Sequence, residues 1–385
     1  MKKIPYGHQW VDEQDIKAVV KVLRSDWLTQ GPTVQRFEEA LCQYTGAKYA
    51  AVVSNGTAAL HLTMMALGMG KGDELVTSPI TFSASANGAF YVGARPRFVD
   101  IDDKTYHMDI DKLREFLKSP SRRKKIKVIV LVHFMGTLEE VYEVKRICDQ
   151  YGIKLVEDAA HALGAKYQWQ GTWFNVGQCR HSDATILSFH PIKQMTTGEG
   201  GAVLTNDKKI YEKVSRLRHH GIVKDQNKPL WFYDIPEIGF NYRLSDLQCA
   251  LGISQLKKLN TMVRQRRKLV QSYNQWFAGL EQIARPCEAT DTYASYHLYV
   301  IRVLNQRRNR LYDYLRAAHI LTQVNYIPVH LFSYYQKALG YREGDFPVAE
   351  KYAKECLSLP LYYGLTDRQQ NYVINRVKGF FKNEK

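Results

Sequence analysis

The sequence predicts an α/β protein in which a large domain with an open, mostly parallel sheet precedes a smaller α+β domain. From residue 49 to residue 189, short apolar segments typical of strands alternate with segments of helical periodicity. The chain of 385 residues is too long for one simple core. Its hydrophobic share of 45% and charged share of 24% are those of ordinary globular domains. We therefore expect two packed domains, residues 1–245 and residues 246–385.

The first predicted element is an amphipathic helix near the N-terminus. Ile16, Val19 and Leu23 recur at helical spacing, and Asp12 is suited to cap this helix. A strand over residues 49–53 then runs into a turn and a second helix. Further apolar runs predict strands over residues 74–77, 97–100, 126–133, 155–159 and 185–189. The helical segments between most of these strands favour parallel neighbours with helices on both faces of the sheet.

The next strand, residues 199–205, follows too closely for a crossover helix to intervene. A parallel neighbour needs a connection of about a dozen residues or more, so this strand should run antiparallel to the one before it. A long amphipathic pattern from Ser245 towards Trp276 predicts a helical link between the two domains. In the smaller domain, residues 297–303 predict a strand and residues 310–319 predict a helix.

The net charge of +16 is spread along the chain. Basic residues lie in short clusters at residues 122–125, 264–268 and 307–310, without a helix-turn-helix, zinc-finger or RNP motif. We interpret these clusters as solvated surface, with a basic field that attracts anionic substrates as the alternative. We expect no nucleic-acid partner.

The six cysteines form no CxxC pair and no closely spaced framework. We therefore expect reduced thiols and no metal site. The N-terminus lacks the apolar stretch of a signal peptide, and the longest apolar run, residues 128–132, is far too short to span a bilayer. These features predict a cytoplasmic protein that does not engage a membrane.

Four clusters of polar residues lie where predicted strands end, which is the edge at which open α/β sheets bind ligands. The first cluster is Asn55, Gly56 and Thr57. The glycine lets the backbone approach a ligand closely, and the helix start that follows offers free N–H groups to a phosphate. The alternative is a tight strand-to-helix turn that binds nothing.

The second cluster, residues 157–161, ends an apolar strand and contains Asp158 and His161. A carboxylate beside a pyridine nitrogen keeps that nitrogen protonated, and the protonated ring is a strong electron sink. The alternative is an aspartate that caps a helix and a histidine that is satisfied within the core.

The third cluster, residues 188–201, has Lys193 just past a buried strand and ahead of a glycine-rich turn. A lysine in a partly desolvated site is a nucleophile towards carbonyls. Its position argues against the alternative of an ordinary surface lysine. The fourth cluster, residues 239–246, sets Asn241 and Arg243 within an aromatic segment, with Ser245 as a helix cap.

Together these segments resemble the sugar aminotransferase family often named after DegT and StrS. The resemblance covers nearly the whole chain, from residues 5–6 to residues 359–361, and residues 188–201 are its most specific part. It implies the fold-type I architecture of aspartate aminotransferase, with pyridoxal 5′-phosphate as the cofactor. It also implies a homodimer with composite active sites.

The resemblance implies roles for individual residues as well. Lys193 is the catalytic residue and carries the cofactor, Asp158 pairs with the pyridine nitrogen, and His161 lies near the phenolic oxygen. Phe82 stacks on the pyridine face, and Asn241 reaches the phosphate of the cofactor in the neighbouring subunit. The other implied cofactor ligands are Gly56, Thr57 and Ser188.

Within the family, the likeness is strongest to the transaminases of pseudaminic acid biosynthesis. These aminate C4 of a UDP-linked 2-acetamido-2,6-dideoxy-4-hexulose, with L-glutamate as donor. Two positions depart from their pattern, since Asn325 stands where a histidine is commoner and Trp27 is bulkier than the usual residue. The implied substrate-binding residues are Tyr6, Asp26, Trp27, Leu28, Thr29, Gly56, Ser188, Asn241, Gln323, Val324, Asn325 and Tyr326.

Three alternatives stay open. Another keto sugar, whether a different 4-keto or a 3-keto sugar, would change the substrate and keep the reaction. Some relatives are dehydratases with a histidine in place of the lysine, and Lys193 argues against this reaction. A DNA-binding or regulatory protein is supported only by the charge and requires a salt-sensitive DNA affinity.

Overall fold

The computed structural model of the protein describes residues 3–383. Three sheets run through it. In chain order the strands are β1 (Tyr49–Val53), β2 (Glu74–Thr77), β3 (Arg95–Phe98), β4 (Ile126–Val132), β5 (Lys154–Asp158), β6 (Lys166–Trp169), β7 (Thr172–Asn175), β8 (Ala184–Ser188), β9 (Gly201–Thr205), β10 (Ile283–Ala284), β11 (Thr292–Tyr293), β12 (Tyr299–Val303) and β13 (Cys356–Leu359).

Helices cover the faces of the central sheet and make up much of the C-terminal part. They are α1 (Glu13–Leu23), α2 (Pro32–Thr45), α3 (Gly56–Ala66), α4 (Ala84–Tyr91), α5 (Ile110–Lys118), α6 (Pro120–Arg123), α7 (Val141–Tyr151), α8 (Lys208–Leu217), α9 (Asp246–Leu256), α10 (Leu259–Trp276), α11 (Arg308–Ala317), α12 (Ser333–Leu339), α13 (Pro347–Glu355) and α14 (Asp367–Asn383). Within residues 3–383, none of the helices has the length and apolarity needed to cross a membrane.

The central sheet has seven strands in the order β1-β9-β8-β5-β4-β2-β3. The strands from β8 to β3 pair in parallel, whereas β9 runs antiparallel to both β8 and β1. The predicted α/β class and the predicted reversal at the strand after residue 199 are therefore confirmed. Because β1, β5 and β8 share one direction, their carboxyl ends meet at the same edge of the sheet. Smaller sheets, β10-β12-β13 and β11-β6-β7, complete the fold.

One predicted strand is displaced. The sequence predicted a strand over residues 97–100, but β3 spans Arg95–Phe98. Its register explains the shift, because Arg95 pairs with Glu74 at the start of β2 and Phe98 pairs with Thr77 at its end. Beyond Phe98 the Val99 N–H still donates to the Thr77 carbonyl over 3.0 Å, but the chain has then passed the last residue of β2.

Alternate residues of β1 point into two different hydrophobic clusters, one on each face of the sheet. Ala50 and Val52 belong to the cluster that we name the first-face cluster, and Ala51 and Val53 belong to the second-face cluster. A third, C-terminal cluster surrounds β12 and includes Tyr299. Burial on both faces explains why these strands read as continuous apolar runs in the sequence.

The amphipathic pattern predicted from Ser245 to Trp276 is two helices, α9 and α10, and not a single continuous link. Helix α9 packs against α1 and α2, so it belongs with the large sheet. Helix α10 contributes Leu259 and Val263 to the first-face cluster and Leu269 and Tyr273 to the C-terminal cluster. The break between the helices lets each direct its apolar stripe to a different neighbour. The domain boundary at residue 245 stays a prediction.

Candidate functional site

A cavity of about 1070 Å³ opens at the edge of the sheet where β1, β5 and β8 end. Residues from both predicted domains line it. It gathers twelve of the predicted cofactor- and substrate-binding residues, namely Tyr6, Gly56, Thr57, Phe82, Asp158, His161, Ser188, Lys193, Gln323, Val324, Asn325 and Tyr326. The predicted convergence of these strand-end clusters is therefore present within one chain.

The start of α3 forms a tight cradle at one side of the cavity. Asn55 caps the helix by accepting a hydrogen bond of 2.8 Å from the backbone N–H of Ala58. A Cβ on Gly56 would lie 3.3 Å from Cβ of Ser188, and a Cβ on Gly201 would lie only 2.5 Å from the backbone of Asn55. Glycine at both positions lets β8, β9 and the helix start approach closely. The helix N-terminus offers N–H groups and a positive dipole end to an anion.

Asp158 is the last residue of β5, and two donors fix its carboxylate. The Ser85 hydroxyl donates to Oδ2 over 2.6 Å, and the Ala160 backbone N–H donates to Oδ1 over 3.1 Å. Thr81 lies 2.7 Å from the Ser85 hydroxyl and extends this chain of hydrogen bonds. The carboxylate is therefore held in one orientation at the cavity wall. Ser85 has no distinguishing signal in the sequence and was not predicted.

Lys193 lies in the turn that follows β8, where its backbone N–H donates to the carbonyl of His190 over 2.9 Å. Burial lowers the pKa of its amine from 10.5 to about 8, while the nearby carboxylate of Asp158 acts in the opposite direction. An amine with this pKa is partly neutral near physiological pH. A neutral amine attacks carbonyls and accepts protons, which is the chemistry predicted for this lysine.

Two histidines stand together beside the lysine. The rings of His161 and His297 are 4.3 Å apart between centroids, and Nε2 of His161 lies 3.3 Å from the hydroxyl of Tyr326. Burial and the nearby Lys193 amine hold the pKa of both imidazoles well below the ordinary value, so both are neutral. In each ring the buried Nδ1 has no hydrogen-bond partner among the described residues. Sequence reasoning missed His297 as a site residue, although it begins the apolar run that predicted a strand over residues 297–303.

Five predicted site residues lie outside this cavity. Asp26, Trp27, Leu28 and Thr29 are all exposed, and so is Asn241. Hydrogen bonds hold the first segment beside the second, since Gln30 donates to the Leu244 carbonyl over 2.9 Å and the Gly31 N–H donates to Asp246 over 2.8 Å. One chain therefore does not bring these five residues to the Lys193 cavity, and their predicted roles stay predictions.

One of the basic clusters was interpreted wrongly. Residues 264–268 were expected to be solvated surface, but Arg266 within them is fully buried. It stands at helical spacing from Met262, Val263, Leu269 and Val270, which are buried on the same stripe of α10. That spacing is the signal that could have identified it, because an arginine within an apolar stripe faces the interior.

The comparisons with known proteins agree with this geometry. A model of the DegT/DnrJ/EryC1/StrS aminotransferase family matches residues 9–378. The chain is 39% identical over 373 residues to the UDP-4-amino-4,6-dideoxy-N-acetyl-beta-L-altrosamine transaminase of Campylobacter jejuni subsp. jejuni serotype O:23/36 (strain 81-176). That match covers 96% of this chain and 95% of the relative.

Two further similarities extend over almost the full length. The chain is 36% identical over 389 residues to the spore coat polysaccharide biosynthesis protein SpsC of Bacillus subtilis (strain 168), covering 98% of this chain and 97% of that protein. The solved structure of Helicobacter pylori PseC, an aminotransferase involved in the biosynthesis of pseudoaminic acid, matches with a TM-score of 0.91 and 32% identity. That match covers 99% of this chain and 100% of PseC.

Proposed function

This chain belongs to the DegT/DnrJ/EryC1/StrS aminotransferase family, and from that premise we propose that it transfers an amino group from L-glutamate to C4 of a UDP-linked 2-acetamido-2,6-dideoxy-4-hexulose. Members of the family are sugar aminotransferases that use pyridoxal 5′-phosphate, and the mostly parallel sheet is their fold-type I architecture. The product would enter a pseudaminic acid-type sugar pathway. The observation that carries the proposal is that Lys193, Asp158 and residues 323–326 surround one cavity.

The cavity fits the cofactor of the family. An amine of lowered pKa, a carboxylate fixed by two donors and a buried imidazole nitrogen without a partner line the same space. These groups suit a carbonyl carbon, a pyridine nitrogen and a phenolic oxygen, respectively. The glycine cradle at Gly56 and Gly201 suits the phosphate. We assign Lys193, Asp158 and His161 to the first three contacts.

When bound, pyridoxal 5′-phosphate supplies a carbon that exchanges the amino group and a ring that takes up electrons when a proton leaves. The chain supplies the proton transfers. Nζ of Lys193 would take the α-proton of glutamate in the first half of the reaction and pass it to the cofactor, and in the second half it would carry a proton from the cofactor to C4 of the sugar. A positioned general acid–base of this kind is typically worth ~100- to 10,000-fold in rate.

Residues 323–326 support the choice of an acetamido sugar. Oδ1 of Asn325 accepts a hydrogen bond of 2.8 Å from the Ser358 hydroxyl, and the Asn325 carbonyl accepts one of 2.8 Å from Tyr352. The Asn325 amide also interacts with the Tyr326 hydroxyl, and in the proposal its N–H groups donate to the carbonyl of an acetamido group as well. Tyr326, with Phe82 at 6.3 Å between ring centroids, offers an apolar surface to the deoxy carbon.

A homodimer with composite active sites would give the exposed segments a role. Asn241 and residues 26–29 lie outside the cavity of their own chain, in segments joined by hydrogen bonds. In the loop that precedes Asn241, Leu230 is almost completely exposed, and Trp231 and Ile238 are largely exposed. Exposed apolar groups of this size are typical of an interface between subunits. In the proposal, each chain covers the cavity of its partner with these segments.

The substrate proposal can be tested by half-reactions. The enzyme is first loaded with the amino group by L-glutamate, and keto sugars are then added one at a time while the visible absorbance of the cofactor is followed. We expect the fastest recovery of absorbance with the UDP-linked 4-keto-6-deoxy-N-acetylhexosamine. Faster recovery with a 3-keto sugar, or with a 4-keto pentose that lacks the acetamido group, would overturn the substrate and leave the aminotransferase class in place.

A further inference from the structure

Arg266 occupies an unusual place on helix α10. It lies between the residues that this helix gives to the first-face cluster and those that it gives to the C-terminal cluster, and it is 2% exposed. Burial lowers the pKa of its guanidinium to about 10 without an opposing carboxylate, and its Nε has no hydrogen-bond partner among the described residues. A charge in such a position is costly unless hydrogen bonds replace its hydration. An apolar residue would suit the same stripe, so the arginine calls for an explanation in terms of what it binds.

The guanidinium of Arg266 donates only to backbone carbonyls. Nη2 lies 3.4 Å from the carbonyl oxygen of Lys193, and Nη1 lies 3.3 Å from that of His297 and 3.4 Å from that of Tyr296. Nη1 also donates to the carbonyl of Leu361 over 3.0 Å. Three separate parts of the chain therefore meet at one side chain. Two of them carry groups that line the cavity, the amine of Lys193 and the imidazole of His297.

The backbone N–H groups of Lys193 and His297 bond to other parts of the fold, whereas their carbonyls bond to Arg266 on helix α10. The Lys193 N–H donates to the carbonyl of His190 within its own turn, and the His297 N–H donates to the carbonyl of Met135 over 2.7 Å. Those bonds attach each residue to a different part of the fold. The guanidinium shared by the two carbonyls therefore fixes the position of the lysine turn relative to the segment just before β12, which contains His297.

From this geometry we propose that Arg266 is a positioning residue of the active site, which fixes the backbone of Lys193 and of His297 to helix α10 from behind the cavity wall. It touches neither substrate nor cofactor. The proposal rests on the proposed function only in taking Lys193 as the reactive amine. The buried positive charge also disfavours protonation of His297, because it contributes to lowering the pKa of that imidazole.

The test compares Arg266→Met, Arg266→Lys and, as a matched control on the same helix, Arg264→Met. Arg264 is exposed and bonds only to Thr261 within its own helix. The first readout is the pH dependence of acylation of Lys193 in the cofactor-free full chain, followed by mass spectrometry of the peptide that contains it. We expect Arg266→Met to raise the midpoint by about half a pH unit or more, because a less confined amine is better solvated.

The second readout is steady-state kinetics of the holoenzyme. Arg266→Met should lower kcat about tenfold or more while KM for glutamate changes little, and Arg266→Lys, which keeps the charge, should recover part of the loss. Arg264→Met should match the wild type in both readouts. If Arg266→Met does not yield folded protein, Arg266→Lys provides the same two comparisons with a smaller expected effect.

A wild-type acylation profile and a wild-type kcat in the folded Arg266 variants would overturn the positioning role. So would a variant that lowers the melting temperature alone. The acylation readout needs no sugar substrate, so it still decides the matter if no keto sugar is aminated. Conversely, a failure of the positioning role would leave the proposed reaction intact.

Discussion

The Ser85 hydroxyl donates a hydrogen bond of 2.6 Å to Oδ2 of Asp158, joining the second residue of helix α4 to the last residue of strand β5. Hydrogen bonds to charged groups typically contribute about 1.5–3 kcal/mol. If Asp158 holds the pyridine nitrogen, Ser85→Ala should raise the dissociation constant for pyridoxal 5′-phosphate about tenfold or more, measured by absorbance titration of the cofactor-free protein.

Thr81→Val is the matched control for this change. Thr81 contacts the Ser85 hydroxyl over 2.7 Å and is one step removed from the carboxylate. Its loss should therefore weaken cofactor binding less than the loss of Ser85. Equal affinity of Ser85→Ala and wild type would show that the Ser85 contact does not support the cofactor site.

The lowered pKa of Lys193 makes the stability of the cofactor-free chain depend on pH. The amine has a pKa of about 8 in the folded chain and an ordinary value of 10.5. Between these values the unfolded chain binds more protons than the folded one, so stability gains from this group as pH rises. Below about pH 8 both states are protonated, and the full penalty of burying the charge is present.

We therefore expect the free energy of unfolding of the wild type, measured relative to Lys193→Met, to increase from pH 8 towards pH 10.5. Denaturant titrations at several pH values measure this difference. The same substitution at the exposed Lys48 is the control for losing a lysine from a solvated position. A flat difference at Lys193 would mean that its amine is not held in a desolvated site.

Shared active sites predict complementation between two inactive variants. Lys193→Ala should lose activity because it lacks the amine, and Asn241→Ala should lose activity if this residue completes the partner's cofactor site. A hybrid dimer of the two holds one intact site. Random mixing makes roughly half of the dimers hybrid, so mixed samples should recover roughly a quarter of wild-type activity. Absence of recovery in dimers proven to be mixed would contradict sharing.

The proposed contact between the Asn325 amide and the acetamido group predicts a selective effect on the sugar. Asn325→Asp keeps an acceptor for the Ser358 hydroxyl and removes the donors. A lost hydrogen bond costs about 0.5–1.5 kcal/mol, so kcat/KM for the acetamido sugar should fall roughly two- to tenfold. The rate with an analogue that lacks the acetamido group should change much less. An equal loss for both sugars would remove Asn325 from acetamido recognition.

Much of the fold was predictable because the central strands are buried on both faces. Runs such as Ile126–Val132 read as strands without help from their neighbours, and the short link after Ser188 predicted the reversal of β9. Lys193 and Asp158 could be singled out because Asp158 ends a buried strand and Lys193 lies in the turn after another. Their pattern also resembled a sugar aminotransferase family, and the model of that family matches residues 9–378.

The rest depended on contacts that periodicity does not encode. Ser85 and His297 become site residues only through the neighbours that the fold brings to them. Arg266 was assigned to the surface because its neighbours Arg264 and Lys268 are charged, whereas its side chain falls on the apolar stripe of α10. In our proposal, residues 26–29 lie at the cavity of a second chain. No pattern within one sequence can predict a position that depends on another chain.

The antiparallel direction of β9 gives the two sides of the cavity very different chain separations. Ser188 pairs with Gly201, so residues 189–200, with Lys193 among them, are closed by a local hairpin contact. The glycine cradle at Gly56 and Gly201 depends on the pairing of Val53 with Gly201, two residues that most of the large domain separates along the chain. Loop-closure entropy grows with the length enclosed, and contacts of long separation form slowly. The turn that carries Lys193 is thus closed by a local contact, and the glycine cradle that faces it is completed only when distant parts of the chain have come together.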